Sequence, residues 1–275
     1  MYENLFKVIE RPEQFISHLP EWHGATFSRL KGGFNNNTLK VTKETKVGVL
    51  KIDSSPRKMP FNPRCKEAYI QNIAYENGLA PKVIFANSGV YFTEFVEGVV
   101  GNKKNFKNEN NLKAIAIALK KLHSLPLAGQ KFNAMAAARK YIDIFKGYES
   151  CLVRKCLKII DEAPLSSNFC LCHNDLVANN FIITPEIAFL DWEYSSDNNP
   201  FFDLATVVEH HELNNKEASL FLDAYIVEDF QDWQIHLKFQ RRLYLALLYL
   251  WMISRHDINH TEIESIALRL TTIDL

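Results

Sequence analysis

The segment over residues 173–180 combines side chains that suit phosphoryl transfer. It follows the pattern H-x-D-x-x-x-x-N, and a predicted strand ends at Asp191 after a short hairpin. Phosphoryl transfer needs a carboxylate that orients the attacking hydroxyl and accepts its proton, together with oxygen ligands that hold Mg²⁺ against the phosphates. Asp175 is therefore the candidate catalytic base, and Asn180 and Asp191 are the candidate Mg²⁺ ligands.

The order and spacing of these residues carry the interpretation. Asp and Asn are frequent in turns, so any one of the three side chains alone fits a loop or the end of a strand. The complete arrangement of H-x-D, a later Asn, a hairpin and a second Asp is much more restrictive. We therefore favour a catalytic interpretation of the segment over a purely structural one.

The same region resembles the catalytic and metal loops of the protein-kinase-like phosphotransferases, and more narrowly those of the choline/ethanolamine kinase and aminoglycoside phosphotransferase group. Residues 190–194, LDWEY, resemble the I-D-[FW]-E-Y signature of choline kinases, and residues 199–205, NPFFDLA, follow at the family's distance. The resemblance implies an α+β, protein-kinase-like fold of two lobes and an ATP- and Mg²⁺-dependent kinase. In such a site His173 braces the catalytic loop, and Asp203 is a structural acceptor that holds it.

The first lobe supplies the parts that would bind the nucleotide. Residues 32–37, GGFNNN, resemble the family's G-G-x-T-N loop, in which backbone N–H groups, here around Gly33 and Asn36, cradle phosphates. An ordinary turn is the alternative for this segment. Lys51 stands where the strand lysine of kinases contacts the α- and β-phosphates, and Glu67 on the following helix would pair with it.

The choice of Glu67 rests on its position on a predicted helix. Glu67 shares a helix face with Ile70 and Ala74, which places its carboxylate on the apolar, inward side. Glu76, nearer the exposed side, is the alternative partner for Lys51.

Residues 92–98, FTEFVEG, resemble the hinge between the two lobes of such kinases. The backbone around Glu94 and Phe95 would hydrogen-bond adenine. This assignment is by position alone, because side-chain identity matters little to backbone contacts.

The acceptor is predicted to be a small cationic alcohol. Choline kinases hold a quaternary ammonium with aromatic faces and carboxylates, since a cation over an aromatic ring gains about 0.5–2 kcal/mol. The candidate contacts in this chain are Glu193, Tyr194, Glu209 and Trp251. Trp251 resembles the first tryptophan of the family's W-x-x-W pair, whereas Ser254 stands at the second position.

Three other functions are weighed against a choline-like acceptor. Thiamine kinases carry a similar D-W-E-Y loop and also bind a cationic alcohol. An aminoglycoside phosphotransferase ranks lower because the second lobe has scattered charge rather than an acidic block. A nucleotide-binding pseudokinase is disfavoured because Lys51, Asp175, Asn180 and Asp191 are all present.

Periodicity divides the chain into a β-rich nucleotide-binding lobe over residues 1–98 and a helical catalytic and substrate-binding lobe over residues 99–275. In the first lobe, two hairpins flank a helix: strands 39–42 and 46–53, helix 64–77, and strands 83–86 and 90–95. In the second lobe, helices are predicted over residues 111–125, 132–145, 149–160, 209–227, 231–254 and 261–271, and strands over residues 169–172, 181–184 and 187–190.

Composition excludes several classes of partner. The 275 residues carry 32 Lys+Arg and 32 Asp+Glu, and this balance argues against a nucleic-acid binder, which needs a basic surface. The longest apolar run, residues 243–253, is too short to span a bilayer and is typical of a buried helix. The N-terminal segment mixes charged and apolar residues, so no secretory signal and no membrane association are predicted.

Five irregularly spaced cysteines are typical of reduced thiols in a cytoplasmic protein. Cys170 and Cys172 lie beside His173, but a C-x-C pair without a second pair of ligands does not predict a zinc site. His210 and His211 are expected on a helix surface.

Overall fold

The computed structural model describes residues 12–16, 18–30, 36–53, 62–145, 150–164, 168–184, 186–226, 233–255 and 259–273. Within these residues a small β-rich lobe precedes a larger, mainly helical lobe, so the predicted fold class is confirmed. Gly33 lies outside the described residues.

The first lobe is built on a five-stranded antiparallel sheet, which follows the short helix α1 (Pro12–Ile16). Its strands are β1 (Thr26–Arg29), β2 (Asn36–Lys43), β3 (Lys46–Asp53), β4 (Val83–Asn87) and β5 (Val90–Glu94), in the spatial order β1-β2-β3-β5-β4. Both predicted hairpins are confirmed, because β2 pairs with β3 and β4 pairs with β5. Strand β1 has no alternating pattern of its own and is defined by its pairing with β2.

Strand β3 directs its lysine away from the core. Leu50 and Ile52 are buried on one side of the strand, among the apolar residues of the first lobe. Successive side chains of a strand point to opposite faces, so Lys51 lies on the other side. That side faces the second lobe.

Helix α2 (Arg64–Glu76) lies between the two hairpins and ends before Gly78, whose φ of 70° a glycine adopts without strain. Glu67, Ile70 and Ala74 are all fully buried, which confirms the predicted inward face of the helix. A carboxylate is therefore held inside the first lobe.

Short strands and longer helices make up the second lobe. The described helices are α3 (Glu109–His123), α4 (Ala134–Phe145), α5 (Cys151–Asp161), α6 (Pro200–His210), α7 (Asn215–Tyr225), α8 (Trp233–Ile253) and α9 (His260–Thr272). The strands are β6 (Val99–Val100), β7 (Cys170–Cys172), β8 (Phe181–Ile183), β9 (Ile187–Phe189) and β10 (Ser196–Asn198). They form a β6-β8-β9 sheet and a β7-β10 pair, both antiparallel. Strand β6, directly after the lobe boundary predicted at residue 98, already pairs with β8.

The single helix predicted over residues 209–227 is wrong. Those residues hold the end of α6 and all of α7, separated by residues 211–214. Asn199 caps the first of these helices and Asn214 the second, through side-chain hydrogen bonds to backbone amides. Nearly every residue of α6 is buried, so no amphipathic period marks this helix in the sequence.

Helix α8 lies in the core of the second lobe, where it packs against α4, α5, α6 and α9. The apolar run over residues 243–253 lies within α8, as predicted for a buried helix. Among the described helices, none has the length and apolar character needed to cross a membrane.

Candidate active site

The catalytic loop runs from β7 to β8. It begins at His173, and its last residues form the 3₁₀ turn Ala178–Asn180. Asp203, in the first turn of α6, accepts hydrogen bonds from the backbone amides of His173 and Asn174, both at 2.8 Å. Asn174 has a left-handed φ of 65°, which lets consecutive amides converge on one carboxylate. This geometry supports the structural role predicted for Asp203.

His173 connects the candidate catalytic loop, residues 173–180, to residues 190–195, which carry the candidate metal ligand Asp191 and are called the metal loop below. Its ring is fully buried, and its Nε2 lies 2.9 Å from the carbonyl oxygen of Leu190. Burial lowers the pKa of His173 and so favours the neutral ring. A neutral, anchored ring is suited to bracing the loop rather than to proton transfer.

Asp175 and Asn180 contact each other across the catalytic loop. The Asn180 Nδ2 donates to the carboxylate Oδ2 and to the backbone carbonyl oxygen of Asp175, both at 2.9 Å. Burial raises the pKa of Asp175 to about 7; the charge of Asp191 adds to this shift, and the Asn180 hydrogen bond opposes it. A carboxyl group with this pKa exchanges a proton near neutral pH, which suits a general base.

Asp191 makes one of the contacts between the two lobes. It follows β9 with a left-handed φ of 63°, and its Oδ1 lies 2.8 Å from the Lys51 Nζ of β3. Burial opposes the charge on Lys51, but the carboxylates of Asp191 and Glu67 outweigh it and raise the pKa of the lysine. Lys51 is therefore a fixed positive charge beside Asp191, one of the two candidate Mg²⁺ ligands.

Besides Lys51, a second cation acts on the Glu67 carboxylate. It is Arg64, which was not predicted from the sequence. Arg64 Nη1 lies 2.8 Å from Glu67 Oε2, and Arg64 Nη2 lies 2.6 Å from Asp53 Oδ1. Glu67 therefore acts on Lys51 by its charge while it also holds Arg64. The i,i+3 spacing of Arg64 and Glu67 on a predicted helix could have predicted this ion pair, because side chains three residues apart are neighbours on a helix. Glu76, the alternative partner, is exposed.

The backbone of the predicted hinge and the start of β2 make hydrogen bonds within the first sheet and its edge. The amide of Glu94 donates to the Lys82 carbonyl oxygen at 2.9 Å, and the amide of Phe95 donates to the Val47 carbonyl oxygen at 3.1 Å. These two N–H groups are therefore engaged within the sheet, which leaves carbonyl oxygens and later amides to face adenine. Asn36 begins β2, where it pairs with Asp53 at the end of β3.

Asn62, just before α2, forms hydrogen bonds with the metal loop. Its backbone amide donates to the carbonyl oxygen of Glu193 at 2.7 Å, and its Nδ2 donates to that of Ser195 at 2.7 Å. Glu193 lies within the 3₁₀ turn Trp192–Tyr194, directly after Asp191, and Ser195 is the residue that follows the turn. The segment that carries Glu67 is thereby joined to the loop that carries the candidate metal ligand.

Three tyrosines lie within electrostatic range of Asp175. The hydroxyls of Tyr141 in α4 and Tyr194 hydrogen-bond each other, and Tyr244 lies in α8. Burial raises the pKa of all three, and the charge of Asp175 raises each further. Glu193, which is buried, adds to the shift at Tyr141 and Tyr194. Of the three, only Tyr194 was predicted from the sequence. The helical patterns around Tyr141 and Tyr244 do not distinguish these tyrosines from ordinary core residues.

Glu209 is held by two arginines. Its buried carboxylate contacts Arg241 of α8 and Arg269 of α9, and Arg269 also donates to the Glu209 carbonyl oxygen at 2.6 Å. A carboxylate neutralised in this way is a poor counter-ion for a substrate. Its predicted contact with the acceptor has no support in this geometry.

Trp251 is half-buried near the end of α8. It lies seven residues after Tyr244, so both side chains lie on the same face of the helix. The guanidinium of Arg255 lies 4.8 Å from the Trp251 ring centroid, so a cation already lies over this ring. Ser254 donates its hydroxyl to the Trp251 carbonyl oxygen at 2.7 Å and belongs to the end of the helix.

The expectation that His210 and His211 lie on a helix surface is wrong for His211, whereas His210 is half-buried at the end of α6. His211 is buried, with Nε2 3.0 Å from the Leu176 carbonyl oxygen and its ring stacked on Phe106. His210 Nδ1 lies 3.0 Å from the Tyr244 hydroxyl. Burial lowers the pKa of His210 to about 4 and that of His211 to about 3, so both rings are neutral at pH 7.

A family model described as choline/ethanolamine kinase matches residues 27–220, more than two thirds of the chain. The match includes the candidate catalytic loop, both candidate metal ligands and the candidate lysine.

Two curated relatives extend the match. Protein LicA of Haemophilus influenzae is 28% identical over 265 residues, which cover 89% of this chain and 77% of the relative. A LicA homolog of Metamycoplasma hominis is 31% identical over 207 residues, 72% of this chain and 78% of the relative.

A solved structure agrees in fold. The choline kinase LicA from Streptococcus pneumoniae superposes with a TM-score of 0.78 at 21% identity, covering 95% of this chain and 96% of that one. At this identity the likeness concerns the fold alone.

Proposed function

The chain belongs to the choline/ethanolamine kinase family, and we propose that its acceptor is choline. Family membership makes it a kinase that phosphorylates an alcohol, and it favours an amino alcohol over thiamine or an aminoglycoside. The choice of choline is supported by Tyr194, which lies in the 3₁₀ turn directly after Asp191 and hydrogen-bonds Tyr141, because aromatic rings can hold a quaternary ammonium.

Asp175 is the proposed base. The acceptor hydroxyl would donate its hydrogen bond to the carboxylate, whose position is fixed by Asn180. As the hydroxyl oxygen forms its bond to the γ-phosphorus and the bond to the β–γ bridging oxygen breaks, Asp175 takes the proton and ADP leaves. Positioning and charge neutralisation then supply most of the catalysis.

Asn180 and Asp191 are the residues that would hold Mg²⁺. Both offer oxygen atoms, which this cation prefers, and the Nδ2 of Asn180 already donates to Asp175, so its Oδ1 is the atom left for the cation. The donor set therefore fits Mg²⁺, which supplies positive charge at the β- and γ-phosphates when bound.

Lys51 is the proposed contact for the α- and β-phosphates of ATP. Its ammonium is held 2.8 Å from Asp191, next to where the phosphates would approach the metal ligands. Gly33 and Asn36 of the glycine-rich segment, and the backbone around Glu94 and Phe95, remain predicted contacts for the phosphates and for adenine. A cytoplasmic location likewise remains a prediction.

The pKa of Asp175 implies a pH dependence. The carboxyl group must be ionised to accept the hydroxyl proton, so we expect kcat/KM for choline to fall about tenfold per pH unit below about pH 7. Saturating Mg²⁺ is expected to move this limb to lower pH, because a nearby cation favours the carboxylate. Initial rates at low and at saturating Mg²⁺ measure both effects, and a profile that stays flat from about pH 8 to about pH 5 at low Mg²⁺ would contradict them.

The acceptor side favours a quaternary over a primary ammonium. A quaternary ammonium has no N–H groups and is held by aromatic faces, whereas a primary ammonium donates three hydrogen bonds to acceptors. The neighbourhood of Asp175 supplies tyrosines, and the carboxylate of Glu209 is already bound by Arg241 and Arg269. We expect kcat/KM for choline to exceed that for ethanolamine by about tenfold, and equal values or a preference for ethanolamine would overturn the choice of choline.

Tyr194 offers a direct test of the aromatic contact. Tyr194→Leu is expected to raise the KM for choline about 2- to 30-fold, which corresponds to about 0.5–2 kcal/mol, and to leave the KM for ATP unchanged. Tyr194→Phe is the matched control, because it keeps the ring and loses only the hydroxyl that contacts Tyr141. Steady-state kinetics with each substrate varied measure the effect, and equal choline KM values for the two variants would exclude an aromatic role.

A further inference from the structure

A cluster of two thiols and an imidazole lies behind the catalytic loop. Cys170 and Cys172 are two residues apart on β7, so their side chains share a face, and their Sγ atoms lie 3.5 Å apart. His123, the last residue of α3, brings its Nε2 to 3.8 Å from the Cys172 Sγ. The three ligand atoms all lie within 4.8 Å of one another, and both cysteines are buried.

A carboxylate, that of Asp203, lies next to His123. Its Oδ2 lies 3.2 Å from the His123 Nε2 and belongs to a fully buried carboxylate. The C-x-C motif has no second pair of ligands close to it in the sequence, because His123 and Asp203 come from α3 and α6, far away along the chain. Folding therefore brings a histidine to the two cysteines and a carboxylate to that histidine.

The spacing of these atoms is that of a tetrahedral metal site. With Zn–S bonds of about 2.3 Å and Zn–N or Zn–O bonds of about 2.0 Å, neighbouring ligands lie about 3.8 Å apart for two sulfurs, about 3.5 Å for sulfur and nitrogen, and about 3.3 Å for nitrogen and oxygen. The corresponding distances here are 3.5 Å, 3.8 Å and 3.2 Å. The two sulfurs and the His123 nitrogen are therefore spaced to bind one cation, with the Asp203 carboxylate beside the nitrogen.

The surroundings of His123 also suit a metal ligand. Its second ring nitrogen, Nδ1, lies 2.7 Å from the Tyr225 hydroxyl. A ligating histidine commonly donates its other N–H to such an oxygen, which fixes the tautomer and the ring orientation. A hydrogen bond from the Nδ1–H of His123 to the Tyr225 hydroxyl leaves Nε2 unprotonated. The lone pair of Nε2 then faces the cysteines.

A disulfide between the two thiols is the competing chemistry, and strand geometry disfavours it. Residues two apart on an extended strand lie about 6.6 Å apart with their Cβ atoms on the same side. A disulfide requires Cβ atoms about 3.8 Å apart, so oxidation would break β7. Both cysteines are free thiols in the structure.

We propose that Cys170, Cys172 and His123, with Asp203 beside His123, form a binding site for a thiophilic divalent cation of the Zn²⁺ type, separate from the Mg²⁺ site. The site lies directly behind the catalytic loop, since Cys172 precedes His173 and Asp203 accepts the His173 and Asn174 amides. Soft thiolates distinguish this site from the oxygen ligands of the Mg²⁺ site.

The test uses Co²⁺ as a spectroscopic probe for Zn²⁺ in the presence of excess Mg²⁺. The full chain carries Cys65→Ser and Cys151→Ser, which remove the two exposed thiols. We expect one equivalent of Co²⁺ to bind with a thiolate-to-cobalt charge-transfer band, and Zn²⁺ to displace it. Absence of that band would overturn the proposal and leave the cluster a hydrogen-bonded network.

Matched variants locate the ion. Cys170→Ser is expected to abolish the charge-transfer band or weaken Co²⁺ binding at least about tenfold. Cys156→Ser, which alters a buried thiol in α5, is expected to leave both unchanged. Should Cys170→Ser lose its native circular dichroism, His123→Gln provides the second variant. Binding that survives in a folded Cys170→Ser or His123→Gln variant would place the ion elsewhere and contradict the proposal.

Discussion

Replacing Asp175 with alanine is expected to lower kcat by about a thousandfold or more while leaving nucleotide affinity largely intact. In the proposed site the carboxylate faces the acceptor; it accepts a hydrogen bond from Asn180, and burial raises its pKa to about 7. Its loss removes the group that orients and deprotonates the hydroxyl but not Lys51 or Asp191. Steady-state rates together with nucleotide binding by calorimetry measure the two effects separately.

Asn179→Ala is the matched control for this variant. Asn179 lies in the same loop, and its side chain is exposed. We expect its kcat to stay within about twofold of the parent enzyme, because no contact in the site is removed. If Asp175→Ala keeps a tenth of the parent rate, Asp175 is not the base.

Replacing Asp191 with alanine, in contrast to Asp175→Ala, is expected to weaken nucleotide binding. The variant loses the proposed Mg²⁺ ligand and the partner 2.8 Å from the Lys51 ammonium. We expect the KM for Mg²⁺–ATP to rise at least about tenfold and kcat to fall about a hundredfold, since both binding and charge neutralisation suffer. Titrations of Mg²⁺ at fixed ATP measure the change.

Asp161→Ala controls for the loss of a negative charge in general. Asp161 is an exposed carboxylate at the end of α5. It should leave the Mg²⁺ requirement unchanged. An Asp191→Ala variant with the parent enzyme's Mg²⁺ dependence would remove Asp191 from the proposed metal site.

The parts of the site that can be predicted from the sequence are those whose residues lie close together along the chain. H-x-D-x-x-x-x-N and the later Asp lie within about twenty residues of one another, so their spacing is visible without a fold. The inward face of α2 is likewise a local pattern, and the structure buries Glu67 as expected. Hairpins with polar turns were predictable for the same reason.

Contacts between distant elements could not be predicted in this way. Tyr141 and Tyr244 lie on helices whose patterns predict only a buried face, and what that face meets depends on packing. His123 reaches Cys172 across 49 residues of chain. The two arginines that hold Glu209 come from separate helices, so the sequence suggested a free carboxylate where the fold supplies its partners. Helix α6 was not predicted because it is buried on all sides, so its sequence lacks the periodicity of an amphipathic helix.

The most direct test of the account is acceptor-dependent ADP release by the purified chain with ATP and Mg²⁺. The acceptors are choline, ethanolamine, thiamine and kanamycin, with a blank that contains none. We expect choline to stimulate ADP release most strongly, ethanolamine more weakly, and thiamine and kanamycin to match the blank. Stimulation by thiamine or kanamycin alone, or release that no acceptor changes although nucleotide binds, would contradict the assignment of this site to choline phosphorylation.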